Sequence, residues 1–321
     1  MKILITGGAG FVGPNLIKKF LNKRHTVFCI DNYSRGCEAN IKSFFNNNNF
    51  KFLKCDVSDY DNLEKVLNPI QKSHGIDEVW HLAANSDIPS GVKYMRVDYK
   101  DTFMTTYNII KWMKHNNVEN IYFSSSSAIY GDHGDKSIRE ETGPLLPHSN
   151  YGAMKLASEA LISSSSQSFL KTAIIFRFPN VVGIPATHGV IFDFFNKLKI
   201  DSENLNVLGN GTQKKSYLHV EELIDAMLFV REILGNKGLN VFNIGPDMDD
   251  GVEVKTIAEE VVKSTSYNCK IIYGKGNKGW VGDIPKFNYS IEKIKNLGWK
   301  PKLNSHQTIL KAIKQIKDQI L

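Results

Sequence analysis

Arginine is scarce in this 321-residue chain: six of its 40 cationic side chains are Arg and the rest are Lys, scattered rather than blocked. Against 33 Asp and Glu the formal charge is +7. Without a basic stripe, that surplus does not mark a nucleic-acid-binding face. The densest lysine run, Lys286 to Lys317, is interleaved with Ile and Leu and reads as a solvated helix face. Cysteine is scarce too. Cys29, Cys37, Cys55 and Cys269 form no CxxC pair and have no His at metal spacing, so no metal site is expected and reduced thiols in a cytoplasm are. Long apolar runs are missing: the best, Ala173 to Ile184, is broken by Arg177 and Asn180, which excludes a membrane span. The opening Met1 to Thr6 runs straight into glycines and is too short for a secretory signal. What is present, 42% apolar and 11% aromatic residues, suffices for a sizeable core and excludes wholesale disorder.

Strand-length apolar runs at Lys2–Thr6, Thr26–Ile30, Phe50–Cys55, Glu78–His81, Asn120–Ser124 and Thr172–Phe176 alternate with helical patterns. The helical stretches are Phe11–Leu21, a piece around Ile41–Phe45, Asp61–Ile70, Thr102–Lys114 and Tyr151–Ser166. Such alternation with short connections predicts an α/β fold with a doubly wound parallel sheet. After about residue 178, glycine-punctuated shorter elements predict a smaller, loop-rich lobe. A helix at Leu218–Leu234 and a strand at Val241–Ile244 are expected to return to the first lobe.

The run Thr6-Gly7-Gly8-Ala9-Gly10-Phe11-Val12-Gly13 follows the first strand and opens the first helix. There Gly7 permits the tight turn, Gly10 lets backbone N–H groups approach a pyrophosphate, and Gly13 allows close helix–strand packing. The spacing is GxxGxxG, weak alone but in the strand–loop–helix context that a Rossmann-type dinucleotide site requires. Asp31, 18 residues after Gly13, ends the second strand. A carboxylate there accepts both hydroxyls of an adenosine ribose and repels a 2′-phosphate, favouring NAD over NADP. Arg35 is the one nearby feature that favours NADP. Asp56-Val57, ending the third strand, is a candidate adenine contact or a plain turn.

Tyr151 and Lys155 form YxxxK, which a helix places on one face. Tyr107/Lys111 and Tyr289/Lys293 repeat the spacing, and about one such pair is expected by chance. Context separates them. Only Tyr151/Lys155 follows a serine cluster at a strand end, Ser124 to Ser127, and starts a helix after a polar loop with Pro144 and Pro147. Oxidising a carbinol needs a base for the hydroxyl proton while hydride leaves. A phenol with pKa near 10 must drop by roughly 3 units, about 4 kcal/mol, to serve near neutrality. Cationic neighbours, Lys155 and an oxidised nicotinamide, push that way.

Together with Asp31-Asn32-Tyr33-Ser34-Arg35-Gly36, His81-Leu82-Ala83-Ala84, Arg177-Phe178-Pro179-Asn180, Gly209-Asn210-Gly211, Tyr217-Leu218-His219-Val220 and Gly298-Trp299, these motifs resemble the extended short-chain dehydrogenase/reductase superfamily. The likeness, over nearly the whole chain, is to its NAD-dependent sugar-nucleotide epimerases and dehydratases. It implies an NAD-binding Rossmann domain over 1–178, with 218–245 returning to it, and a mainly nucleotide-sugar-binding lobe over 179–321. It implies Ser126, Tyr151 and Lys155 as the catalytic trio, Ser126 because it stands four before Tyr130 in the S-x-x-x-Y-G pattern, with Ser125 and Ser127 as rivals. The implied cofactor contacts are Gly7, Gly10, Phe11, Val12, Gly13, Asp31, Asn32, Asp56, Val57, Leu82, Ala83, Tyr151, Lys155 and Phe178. Those to substrate are Ser86, Ser126, Asn180, Val207, Leu208, Lys215 and Asp283.

Departures narrow the chemistry. Family dehydratases carry Asp-Glu, and decarboxylases a Glu, just before the Tyr-Gly; here Ser127 and Ala128 stand there, removing the acid that elimination needs. The expectation is therefore an epimerase, working on a UDP-hexose through a transient 4-ketone. A ketoreductase, a dehydrogenase or a 2-epimerase on a CDP-, GDP- or dTDP-sugar is the alternative, and a non-catalytic NAD-binding protein the distant one. Of two family arginines that clamp the diphosphate, the first reads Lys215 and the second Trp280, with Lys278 nearby. A family Asn ahead of the long helix reads Thr102. A homodimer pairing Thr102–Lys114 and Tyr151–Ser166, in the cytoplasm, is implied as well.

Overall fold

The short apolar runs become strands in a computed structural model, which describes residues 1–235, 238–246, 250–265, 267–276 and 289–321. The strands are β1 (Lys2–Thr6), β2 (Thr26–Asp31), β3 (Phe50–Lys54), β4 (Glu78–His81), β5 (Asn120–Ser124) and β6 (Thr172–Arg177), followed later by Gly238–Asn243. They form one seven-stranded sheet in the order Gly238–Asn243, β6, β5, β4, β1, β2, β3. The ladders joining β1 to β6 are all parallel. Both β4 and β6 are buried along their whole length, as strands covered on two faces are. Strand order reverses between β1 and β4, the switch point outside whose carboxyl ends such sheets bind ligands.

Two compact units divide the chain. The first comprises Met1–Ile129, Ser149–Arg177 and Met227–Phe242; the second comprises Tyr130–His148, Phe178–Ala226 and Asn243–Leu321. In the first, helices α1 (Val12–Asn22), α2 (Tyr60–Ser73), α3 (Ile88–Lys93), α4 (Met95–Asp98), α5 (Thr105–His115) and α6 (Asn150–Ser166) link the strands. Its core joins Leu4, Phe28, Val79, Ile121 and Phe123 of the sheet to Ile109, Trp112 and Met113 of α5. The second unit packs helices Val190–Ile200, Val254–Ser264 and Ser305–Ile320 through Phe194, Phe195, Ile257, Val261, Ile309 and Ile313. Its strands pair as three short ladders. Among the described residues no helix is long and apolar enough to cross a membrane.

Two helical expectations are revised. The stretch around Ile41–Phe45 is a pair of 3₁₀ turns, Glu38–Asn40 and Lys42–Phe44. Thr102–Lys114 is not one helix: a wide π-type turn, Tyr99–Met104, precedes α5. Threonine hydroxyls explain the widening. Thr105 and Thr106 donate back to the Thr102 carbonyl at 2.8 and 3.1 Å, competing with the ordinary helical ladder. Thr102 in turn accepts from the Asn85 amide at 3.1 Å. Single π turns of this kind recur at functional sites.

A charge buried in the sheet is paired. Glu78, almost fully buried at the start of β4, takes the Arg231 guanidinium at 3.0 and 3.1 Å and the Trp80 indole N–H at 3.0 Å. Removing one member of a buried pair leaves an uncompensated charge, which costs about 3 kcal/mol. Arg231→Met is expected to lower stability by about that amount in urea denaturation, with part of the loss recovered in Glu78→Gln/Arg231→Met.

Candidate active site

The loop after β1 is folded against the sheet. Gly7 adopts φ +67°, and a Cβ there would lie 2.8 Å from the backbone of Ala83. A Cβ on Gly13 would lie 2.3 Å from the Gly8 carbonyl oxygen, so loop and helix start can touch only through glycine. Helix α1 then begins after Phe11 with no side-chain cap and no acidic residue in its first turn. Uncapped N–H groups and the positive helix end are what an anionic pyrophosphate needs. Val12 is the helix's first residue. Gly10 donates only to the Gly7 carbonyl at 3.3 Å among its backbone bonds.

Asp31 stands where the sequence puts it, at the end of β2 and buried. Its carboxylate accepts from Ala9 N at 2.9 Å and Tyr33 N at 2.8 Å, tying the glycine loop to the strand end. Burial pushes its pKa up; these backbone amides oppose that. Four lone-pair sites leave room for ribose hydroxyls as well. Asn32 caps the turn by accepting from Ser34 N at 2.8 Å. Arg35 is engaged elsewhere, by Asp87 at 3.2 Å. Asp56 is already coordinated by the protein: Oδ1 by Ser58 N (2.9 Å) and Oγ (2.7 Å), Oδ2 by Lys100 (3.0 Å). Although burial raises it, the Ser58 and Lys100 bonds hold its pKa below the usual carboxylate value. The Val57 carbonyl accepts from Asn108 at 2.9 Å.

Leu82 and Ala83 continue β4 over the loop, their amides donating to Thr6 O and Thr6 Oγ1, each at 3.2 Å. His81 beside them is fully buried between Thr6 (2.7 Å) and Thr106 (3.0 Å). Burial and the nearby Lys155 push its pKa down to about 3, so it is a neutral bridge. Taken together, the uncapped helix, glycine contacts and Asp31 fit a dinucleotide.

Three of the four consecutive serines after Phe123 have separate tasks. Ser124 presents its carbonyl to Lys155 Nζ at 2.5 Å. Ser125 turns its hydroxyl into the interior and donates it to Glu159. Ser126 lies beside the Tyr151 phenol and accepts from Ala128 N at 3.1 Å. Tyr151 and Lys155 share one face of α6, whose start is set by Ser149 accepting from Gly152 N and by Asn150 holding the Gly91 carbonyl at 2.9 Å. Lys155 Nζ sits 4.7 Å from the Phe123 ring centroid and 5.9 Å from that of Tyr151. Burial drives Lys155 down to about 7, against a raising influence from Glu159. The same burial drives Tyr151 up to about 12; Ser126 opposes this and Asp98 adds to it.

Sequence reading missed Asp98. It is wholly buried on α4, takes Asn85 Nδ2 on Oδ1 at 2.8 Å, and finds no partner for Oδ2 among the described residues. Burial raises its pKa, with Asp101 and Asp87 adding to the effect. Its only sequence signal was an acid between Val97 and Tyr99.

The proposed substrate contacts fall in both units. Ser86 is half-buried in the first, between Asn85 and Asp87. In the second, Asn180 is exposed, donating to Ser216 O at 3.4 Å, and the cofactor candidate Phe178 is half-buried. Leu208 is exposed, while Val207 is buried in the ladder with Lys270–Tyr273. The Val207 and Leu208 carbonyls accept from Gly274 N (3.1 Å) and Gln213 (3.2 Å). Lys215 pairs with Val252 in an antiparallel ladder. Asp283, Trp280 and Lys278 lie outside the described residues.

The sheet and loop define a Rossmann-type nucleotide-binding enzyme. Its family follows: residues 3–245 match the model of the NAD dependent epimerase/dehydratase family, and the chain belongs to it, with NAD as cofactor. A putative UDP-glucose 4-epimerase of Methanocaldococcus jannaschii is 26% identical, with 98% of each chain covered. A dTDP-D-glucose 4,6-dehydratase of Dictyostelium discoideum is also 26% identical, over 97% of this chain and 80% of the other. Among solved structures, a UDP-galactose 4-epimerase superposes with a TM-score of 0.85 at 28% identity, covering all of both chains.

Two tests follow from the site's charges. Native Lys155 releases its proton near pH 7, whereas an unfolded lysine holds it to about 10.4. Between those values the unfolded chain binds more protons, so this group makes stability rise with pH. Lys155→Met is expected to flatten that rise, read from denaturation midpoints across pH 7 to 10. Asp98→Asn removes a group that raises Tyr151, and is expected to lower the phenol's titration in ultraviolet difference spectra referenced to Tyr151→Phe.

Proposed function

We propose that the protein is an NAD-dependent nucleotide-sugar epimerase that inverts C4 of a UDP-hexose of the UDP-glucose/UDP-galactose type. One observation carries this reading: the Ser126–Tyr151–Lys155 arrangement lies in the same unit as the dinucleotide loop, while Ser127 and Ala128 occupy the elimination-acid positions. NAD, when bound, supplies the acceptor and donor of the C4 hydride and the positive charge of an oxidised ring. Tyr151 removes the proton of the sugar 4-hydroxyl and later returns it. Ser126 holds the same oxygen by hydrogen bond. Lys155 adds positive charge beneath the phenol, the direction in which a base starting near 12 must be moved.

Gly7, Gly10, Phe11, Val12 and Gly13 hold the cofactor pyrophosphate. Asp31 and Asn32 take the adenosine ribose, Asp56 and Val57 lie by the adenine, and Leu82, Ala83 and Phe178 line the remaining path. Ser86, Asn180, Val207, Leu208, Lys215 and Asp283 hold the nucleotide sugar, with Lys215 as a point charge on the diphosphate. The sugar must turn over as a 4-ketone to receive hydride on its other face. The working form is a cytoplasmic homodimer joined through α5 and α6, and Tyr107, 43% exposed on α5, supports that surface.

Purified protein incubated with UDP-glucose, UDP-galactose and their N-acetyl forms is expected to interconvert a C4 pair, followed by anomeric proton signals. Tyr151→Phe is expected to lose at least ~100-fold in rate while still binding NAD. No conversion of any of these sugars, or a Tyr151→Phe variant as active as the parent, overturns the reading.

A further inference from the structure

Lys155 poses a problem that the catalytic trio does not solve. Its ammonium is fully buried, donates to one carbonyl at 2.5 Å, and faces an aromatic ring. Left to burial alone it sheds its proton, and a neutral amine gives Tyr151 no positive charge. Four residues on along the same face of α6 stands Glu159, itself buried. Arg177, ending β6, grips that carboxylate with a guanidinium fork: Nε at 3.1 and 3.2 Å and an Nη at 2.7 Å. Ser125 donates to it from the other side. Both charged side chains are under 10% exposed, so the pair is screened little by solvent.

We propose that Glu159 is a positioning residue that keeps Lys155 protonated, and that Arg177 and Ser125 hold its carboxylate in place for that purpose. The proposal rests on the reading of Lys155 as Tyr151's charge partner. The groups around the ammonium leave few other candidates. On α6 they are Tyr151 and Glu159. Strand β5 contributes the Ser124 carbonyl and the Phe123 ring, and β4 contributes His81, which is neutral. Arg177 on β6 is turned onto Glu159. Glu159 is therefore the anion that counteracts burial. It also gives Ser125, the inward member of the serine cluster, a task distinct from that of Ser126.

Glu159→Gln keeps the shape and the hydrogen-bond acceptor but removes the charge. Native Lys155 is then expected to titrate about one pH unit lower, read in two ways. Without substrate, the rise of stability with pH begins about one unit earlier than in the parent, a feature that Lys155→Met lacks. With the nucleotide sugar the parent turns over, the alkaline fall of kcat moves down by the same amount, about tenfold in rate on that limb, while KM is little changed. Glu159→Asp, which retains the charge, restores the parental limb. If Glu159→Gln leaves too little folded protein, Glu159→Gln/Arg177→Met is measured the same way, since replacing both buried charges avoids an unpaired guanidinium. A uniform stability loss at every pH with Lys155 titrating as in the parent overturns the proposal. The stability measurement needs no turnover, so a failure of the epimerase reading leaves it intact.

Discussion

The ammonium of Lys155, held without solvent above the carboxyl end of β5, constrains most of what surrounds it. A buried cation needs an acceptor, a polarisable face and an anion within reach, or it becomes neutral. The acceptor is a strand-end carbonyl, which requires α6 to cross directly over β5. The face is Phe123 on the same strand. The anion is Glu159, itself buried, which in turn requires Arg177 from the neighbouring strand β6. Parallel pairing of β5 with β6 thus brings together, from residues more than 50 positions apart in sequence, a set of charges that none of them could support alone.

The dinucleotide half of the site follows a different logic, close approach of backbone rather than compensation of charge. Gly7 against Ala83 and Gly13 against Gly8 bring strand, loop and helix nearer than side chains would permit. Asp31 then fastens the loop from β2 through the Ala9 amide. Asp31, the proposed ribose contact, is therefore also a structural tie, so its substitution would disturb the phosphate loop as well. Arg35, the residue favouring a 2′-phosphate, is turned instead toward Asp87.

Much of this was legible beforehand because it depends on local pattern. Strand-length apolar runs alternating with helical ones gave the sheet, and a glycine run between the first of each gave the phosphate loop. YxxxK was legible only in combination with the serine cluster, since its spacing recurs by chance. The helix ahead of β5 was misjudged because Thr105 and Thr106 engage the Thr102 carbonyl through their hydroxyls, and periodicity does not register that competition. Asp98 and Glu159 passed unnoticed for a related reason. An acid in a helix reads as solvent-facing until its tertiary neighbours are known, and both are buried.

By itself, then, the sequence determined the alternation of elements, the loop that can approach a pyrophosphate and the carboxylate after β2. Each is a property of residue type and short-range spacing. Only the tertiary structure decided that Ser125 turns inward to Glu159, that Asp56 is already coordinated by Ser58 and Lys100, and that Lys155 and Glu159 share a dry interior. Those outcomes depend on burial and on contacts between separate strands and helices, and a pKa or a hydrogen-bond partner is set by that surrounding volume rather than by the chain's own order.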